Sequence, residues 1–147
     1  MMALPTGANA SHWWHVMERG NYPGRSEDFV DQDSVRSNAE GSKLITTMMV
    51  TEQQFGRGLN AMQSLYEVDC PKGRSRSILR LGLKPDGTAV GQPDRQPLAW
   101  GDDQPGSLAA IVQNVACTGR LPDDAFDIGG LDPQVVSRAY FSGDASE

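Results

Sequence analysis

The sequence predicts an α+β domain: an antiparallel sheet of roughly five or six short strands with one helix packed across it. Three observations carry that expectation. Runs of β-branched or alternating apolar residues recur through the first two thirds of the chain, each bounded by Gly, Pro, Asn or Asp. One later stretch, Ser107–Cys117, spaces its apolar residues as a helix does. Sixteen Gly and nine Pro among 147 residues favour many turns over a helix bundle.

Taken in order, the first element is His12–Met17 (HWWHVM), a short β-prone run. The loop NYPGRSED follows, then Phe29-Val30-Asp31 as a brief strand or extended corner, and Ser37–Ser42 as a turn. Lys43–Glu52 is β-branched on both sides. Leu44, Thr46, Met48 and Val50 share one face and Ile45, Thr47, Met49 and Thr51 the other, so both faces of the sheet are expected to be covered. In Ala61–Cys70, Met62, Tyr66, Val68 and Cys70 point one way while Gln63, Glu67 and Asp69 point the other, which turns the Cys70 thiol inward. Pro71–Arg74 turns the chain into Ser75–Leu83, a strand with Leu79, Leu81 and Leu83 on one face. Lys84–Gly87 (KPDG) is a turn because Pro presets φ, Asp bonds locally and Gly accepts positive φ; Thr88–Val90 then pairs back. Gly91–Gly106 is a Pro- and Asp-rich loop anchored by Trp100.

The helix carries Leu108, Ile111, Val112 and Val115 as its apolar stripe, with Ser107 or Gly106 at its start and Gly119 at its stop. On an ideal helix Cys117 lies opposite that stripe, so either the helix frays before it or the cysteine reaches the sheet sideways. From Arg120 the chain is acidic, and Asp132-Pro133 is placed to cap a short helix over Gln134–Tyr140. The expected organisation is residues 1–11 as a leader or the remnant of an export signal, 12–119 as the domain, and 120–147 as an acidic C-terminal tail. Ala8-Asn9-Ala10 fits the small-x-small end of such a signal; a leader of small residues is the alternative.

A net charge of −6 argues against nucleic acid as a partner. The uncharged runs fall short of the ~20 residues a transmembrane helix needs. Cys70 and Cys117 permit one pairing, which would close a loop of about 48 residues worth about 4 kcal/mol; two buried free thiols are the alternative. No CxxC occurs and no His lies near either cysteine, so metal and redox chemistry fit poorly. His12 and His15 point to opposite sides of a strand and make no metal pair. Asp31–Gly41 departs from a calcium loop at Val35 and Arg36. The chain holds no GxSxG, and Asp102-Asp103 and Asp123-Asp124 sit in loop segments. No catalytic residue, cofactor or metal is assigned. Among Lys72, Arg74, Arg76 and Arg80, strict alternation puts Arg74, Arg76 and Arg80 on one face, away from Leu79 and Leu81. Such a stripe suits a sulfated glycan or an acidic protein patch, or else protects an exposed sheet edge. Trp13 and Trp14 face opposite ways, one toward the core and one toward the surface or a partner.

Several of these segments, in this order, resemble the surface-adhesin protein E-like domain, a bacterial envelope family. They are Trp13-x-x-Val16, the Phe29–Val35 segment FVDQDSV, Tyr66 with Asp69-Cys70 at a strand end, the basic hairpin, Trp100 ahead of Pro105–Ser107, and a helix ending at Cys117. The resemblance covers about Trp13 to Cys117. It implies an exported domain whose two cysteines, Cys70 and Cys117, join strand to helix in a disulfide. The best-known member of that family is a dimeric surface adhesin that binds host extracellular-matrix and plasma proteins. This chain departs from it in lacking a lipoprotein cysteine near the N-terminus, so a lipid anchor is not implied. The expected function is therefore a non-enzymatic domain of the periplasm or cell surface that binds a protein or a sulfated glycan, with a possible homodimer. Arg74, Arg76 and Arg80 are the expected contacts, with Trp13 or Trp14 as an aromatic anchor. A structural subunit of an envelope or extracellular assembly is the alternative, followed by a small enzyme using a loop carboxylate or His12 and His15.

Overall fold

Short polar turns join each strand to the next, and strands so joined pair with their sequence neighbours. In the computed structural model, which describes residues 11–145, they are β1 (Trp13–Arg19), β2 (Ser26–Ser37), β3 (Lys43–Phe55), β4 (Leu59–Asp69), β5 (Arg74–Leu83) and β6 (Ala89–Asp94). After them come β7 (Gly101–Asp102), α1 (Leu108–Thr118), β8 (Phe126–Gly129) and α2 (Pro133–Ala145). The sheet order is β6-β5-β4-β3-β2-β1-β8, with β7 on the far end of β5, and every pairing is antiparallel. The leader expected at 1–11 lies, apart from Ser11, outside the described residues.

The sheet thus has eight strands rather than five or six, and two helices rather than one. The two added strands have a common cause. β7 and β8 are two and four residues long and come from segments with no alternating pattern; they are strands through backbone pairing alone. β2, expected as a three-residue corner, runs for 12 residues because polar side chains fill its inward positions. Ser34, for instance, donates to the Asp31 carbonyl at 2.6 Å and accepts from the Thr46 amide at 2.8 Å, bridging an irregularity in the β2–β3 register.

Both faces are covered, each by one helix. On one face α1 lays Val112, Val115 and Ala116 onto Val30, Ile45 and Val68. Each fully buried Val or Ile among them contributes about 1.5–3 kcal/mol. Ser107 caps α1 by accepting from the Ala110 amide at 3.1 Å, and Gly119, at φ +74°, supplies the left-handed stop. On the other face α2 sets Phe141 against Trp13, Phe29, Met48, Val50, Ala61 and Leu83. Asp132 caps it, accepting from the Gln134 amide at 2.9 Å, with Pro133 as its first residue; it runs beyond the Gln134–Tyr140 expected. Gln134 fixes its start by donating to Asn60 and to the Lys84 carbonyl, both at 2.8 Å. α2 therefore lies at the end of the β3–β4 turn, and α1 at the opposite end on the opposite face.

Cys70 and Cys117 form a disulfide with Cα atoms 5.9 Å apart. α1 does not fray before Cys117. The cysteine, off the apolar stripe, reaches sideways to the end of β4, where Cys70 points toward the same face.

On the α1 face, beyond the reach of α1, Arg19 donates two hydrogen bonds to Asp28, both at 2.8 Å. Asp28 is 1% exposed, and burial pushes its carboxyl above its ordinary range although Arg19 pulls the other way. The folded state then holds that proton more tightly than the unfolded chain, so this group's contribution to stability falls as pH rises through the raised pKa. Asp28→Asn is expected to melt higher than the parent at pH 7, the gap narrowing as pH falls toward 3.8. Melting curves across that range check it, and a variant less stable at pH 7 would mean the Arg19 bonds outweigh burial.

Candidate functional site

The part of the α2 face beyond α2 is framed by β4 and β5, over the buried Leu44, Leu65 and Leu79. Alternation in β4 sends Glu67 and Asp69 to this face. A four-residue turn then returns the chain so that Arg74 stands opposite Asp69, and Arg76 opposite Glu67. Opposite charges directly across a ladder attract: Arg74 meets Asp69 at 3.2 Å and Arg76 meets Glu67 at 2.8 Å. Glu67 also accepts from Asn38 at 3.0 Å, which ties the β2–β3 turn to the same spot.

One residue farther along β5 the register slips between Leu65 and Tyr66, leaving Ile78 as an extra residue. The bulge reverses the alternation. Arg74 and Arg76 therefore share a face with Leu79, Leu81 and Leu83, whereas Arg80, opposite Ser64, is on the α1 face and pairs with Asp94 at 3.0 Å. The one-sided stripe of three arginines expected from the sequence does not exist. Ser77 accepts from Arg80 at 2.8 Å, and the Gln96 carbonyl does so at 2.7 Å, so Arg80 holds the 91–100 strap to the edge of the sheet.

That strap brings Trp100 over Arg74 and Arg76, whose guanidinium carbons lie 4.5 and 4.3 Å from its ring centroid. Beside this clasp is a groove of about 450 Å³. Its floor is Leu65, Ile78 and Leu79, and its rim is charged: Glu40, Glu67, Arg76 and Arg95. Leu98, 52% exposed, projects from the strap, held by its amide bond to the Ser77 carbonyl at 2.9 Å.

Trp13 is 6% exposed and belongs to the core, so it is no surface anchor. Trp14 is half-buried on the α1 face, its indole N–H donating to Gln32 at 3.1 Å and its ring stacked on His12. Neither stands near Arg74 or Arg76. The tryptophan that does is Trp100, which sequence reasoning placed only as a loop anchor. The ion pairs, by contrast, were within reach of the sequence: Glu67 and Asp69 face one way in β4, and a tight turn sets Arg74 and Arg76 opposite them. The bulge carried no signal.

Among the described residues no helix is long and apolar enough to cross a membrane. Compared with known proteins, the chain matches the family model described as surface-adhesin protein E over residues 13–118. No curated protein and no solved structure matches it.

Proposed function

Because the chain belongs to the surface-adhesin protein E family, we propose that it is an exported, non-enzymatic domain that binds another protein through the open part of its α2 face. The observation that carries this reading is the Arg74–Trp100–Arg76 clasp beside a groove with an apolar floor and a charged rim. Protein interfaces have that anatomy, and Trp and Arg supply a disproportionate share of their binding energy. A protein ligand is favoured over a sulfated glycan because Arg74, Arg76 and Arg80 each already pair with a carboxylate. A sulfate would have to displace Asp69, Glu67 or Asp94, whereas a protein surface can pack on the stacked arginines, Trp100 and the exposed Leu98 without breaking those pairs. The Cys70–Cys117 disulfide supports an oxidising compartment such as the periplasm or cell surface.

The test is binding of the full chain to immobilised plasma and extracellular-matrix proteins, with heparin as the sulfated comparison. Replacing Arg74, Arg76 and Trp100 by Ala together should weaken protein binding by about 30-fold or more, the loss of a single hot spot of about 2 kcal/mol being enough. Arg80→Ala, on the other face, should bind as the parent does. Undiminished binding by the triple variant would reject this surface, and tight heparin binding would overturn the choice of ligand.

A further inference from the structure

At the other end of the α2 face, a second concavity opens between α2 and the β1–β2–β8 side of the sheet. It encloses about 240 Å³ and is lined by His15, Glu18, Glu27, Phe29, Phe126, Val136, Ser137 and Tyr140. An apolar cavity of roughly 150 Å³ holds one benzene, so this one takes an aromatic ring and a short arm. Phe126 and Tyr140, 48% and 41% exposed, mark its mouth.

Two carboxylates, Glu18 and Glu27, border the space, and among the described residues no Lys or Arg lines it. Glu18 accepts from the Tyr140 hydroxyl at 3.1 Å, and Glu27 pairs with His15, the one lining side chain able to carry positive charge. The imidazole of His15 is engaged through Nε2 with Glu27 and stacked on Phe126 at 4.4 Å, which fixes the inner wall. Ser137 is 1% exposed, and its hydroxyl has no hydrogen-bond partner among the described residues. A buried hydroxyl without a partner carries an uncompensated desolvation cost, which a bound group would relieve. Aromatic faces and carboxylates both favour a cation over an anion.

We infer that this pocket binds a small aromatic amine, its ring among Phe126, Val136 and Tyr140 and its ammonium group toward Glu27 and the Ser137 hydroxyl. The site is separate from the Arg74–Trp100–Arg76 surface and does not rest on it. It gives the domain a small-molecule ligand in addition to a protein partner.

Calorimetric titration of the full chain with phenethylamine, 2-phenylethanol and phenylacetate tests the inference. The amine should bind saturably, the alcohol several-fold more weakly and the acid not at all. Glu27→Gln should weaken the amine by about 10-fold or more while leaving the alcohol unchanged, as expected for loss of a charge-assisted hydrogen bond. Should that variant fail to fold, Ser137→Ala is expected to weaken the amine several-fold, and Val136→Phe, which fills the pocket, to abolish binding of both. No binding of the amine at millimolar concentration, equal affinity for phenylacetate, or undiminished binding by Val136→Phe would each overturn it.

Discussion

Replacing Cys70 and Cys117 by Ala together should lower stability by about 4 kcal/mol and the melting temperature by about 10 °C. The bridge closes a sequence separation of 47 residues, and the unfolded chain regains that freedom when it is removed. The folded state should keep its topology, because α1 remains seated by Val112, Val115 and Ala116 on Val30, Ile45 and Val68. Local effects should concentrate where the bridge attaches. Cys70 adjoins Asp69 and starts the turn into Arg74, so amide exchange around Arg74 and Trp100 should quicken more than at the α2 end of the sheet. Urea unfolding of parent and double variant measures the first effect. A loss below about 1 kcal/mol would mean that apolar packing alone already restricts the loop in the unfolded ensemble.

Arg25→Ala should cost about 2 kcal/mol, from the loss of hydrogen bonds to a part-buried carboxylate and of the packing of its own planar head. Arg25 is 6% exposed and meets Glu52 at 2.7 Å. Its guanidinium carbon also lies 5.4, 5.6 and 5.3 Å from the rings of Tyr22, Tyr140 and Phe141. It is the rivet between the sheet and the far end of α2, donating as well to the Phe141 carbonyl at 3.4 Å. Arg25→Lys should rescue only part of the loss, since an ammonium group lacks the planar fork and stacking surface. The same hydrogen bonds hold the Glu52 carboxyl below its ordinary range. The stability this pairing supplies is present above the usual Glu range and is lost as pH falls through the lowered pKa. Chemical denaturation of both variants is the check, and an Arg25→Ala protein as stable as its parent would show that α2 is held by Phe141 and Gln134 alone.

β3 and β4 were legible in the sequence, whereas β2 showed only its three-residue centre. Lys43–Glu52 and Ala61–Cys70 show their faces by alternation, and both faces of β3 are indeed covered, by helices at opposite ends. α1 was legible from its stripe and its caps, Ser107 and Gly119. β8 was not, because Phe126–Gly129 earns its place by backbone pairing with β1 and carries no period of its own. The site was half legible. Arg74 and Arg76 belong to it, but alternation read through Ile78 added Arg80, and nothing in the sequence linked Trp100 to either arginine.

The α+β class, the strands β3, β4 and β5, the KPDG turn, the α1 helix and the inward side of Cys70 were thus readable from the residues alone. These follow from the periods of two and 3.6 residues and from turn chemistry, which act between residues close in the chain. Long-range packing set the rest: the bulge that divides the arginines, the strap that lays Trp100 over two of them, the seat of α2, and the pocket beside it lined by His15, Glu27 and Ser137. Those depend on contacts between segments far apart in sequence, where shape and the pairing of buried polar groups select among arrangements that local pattern leaves equal.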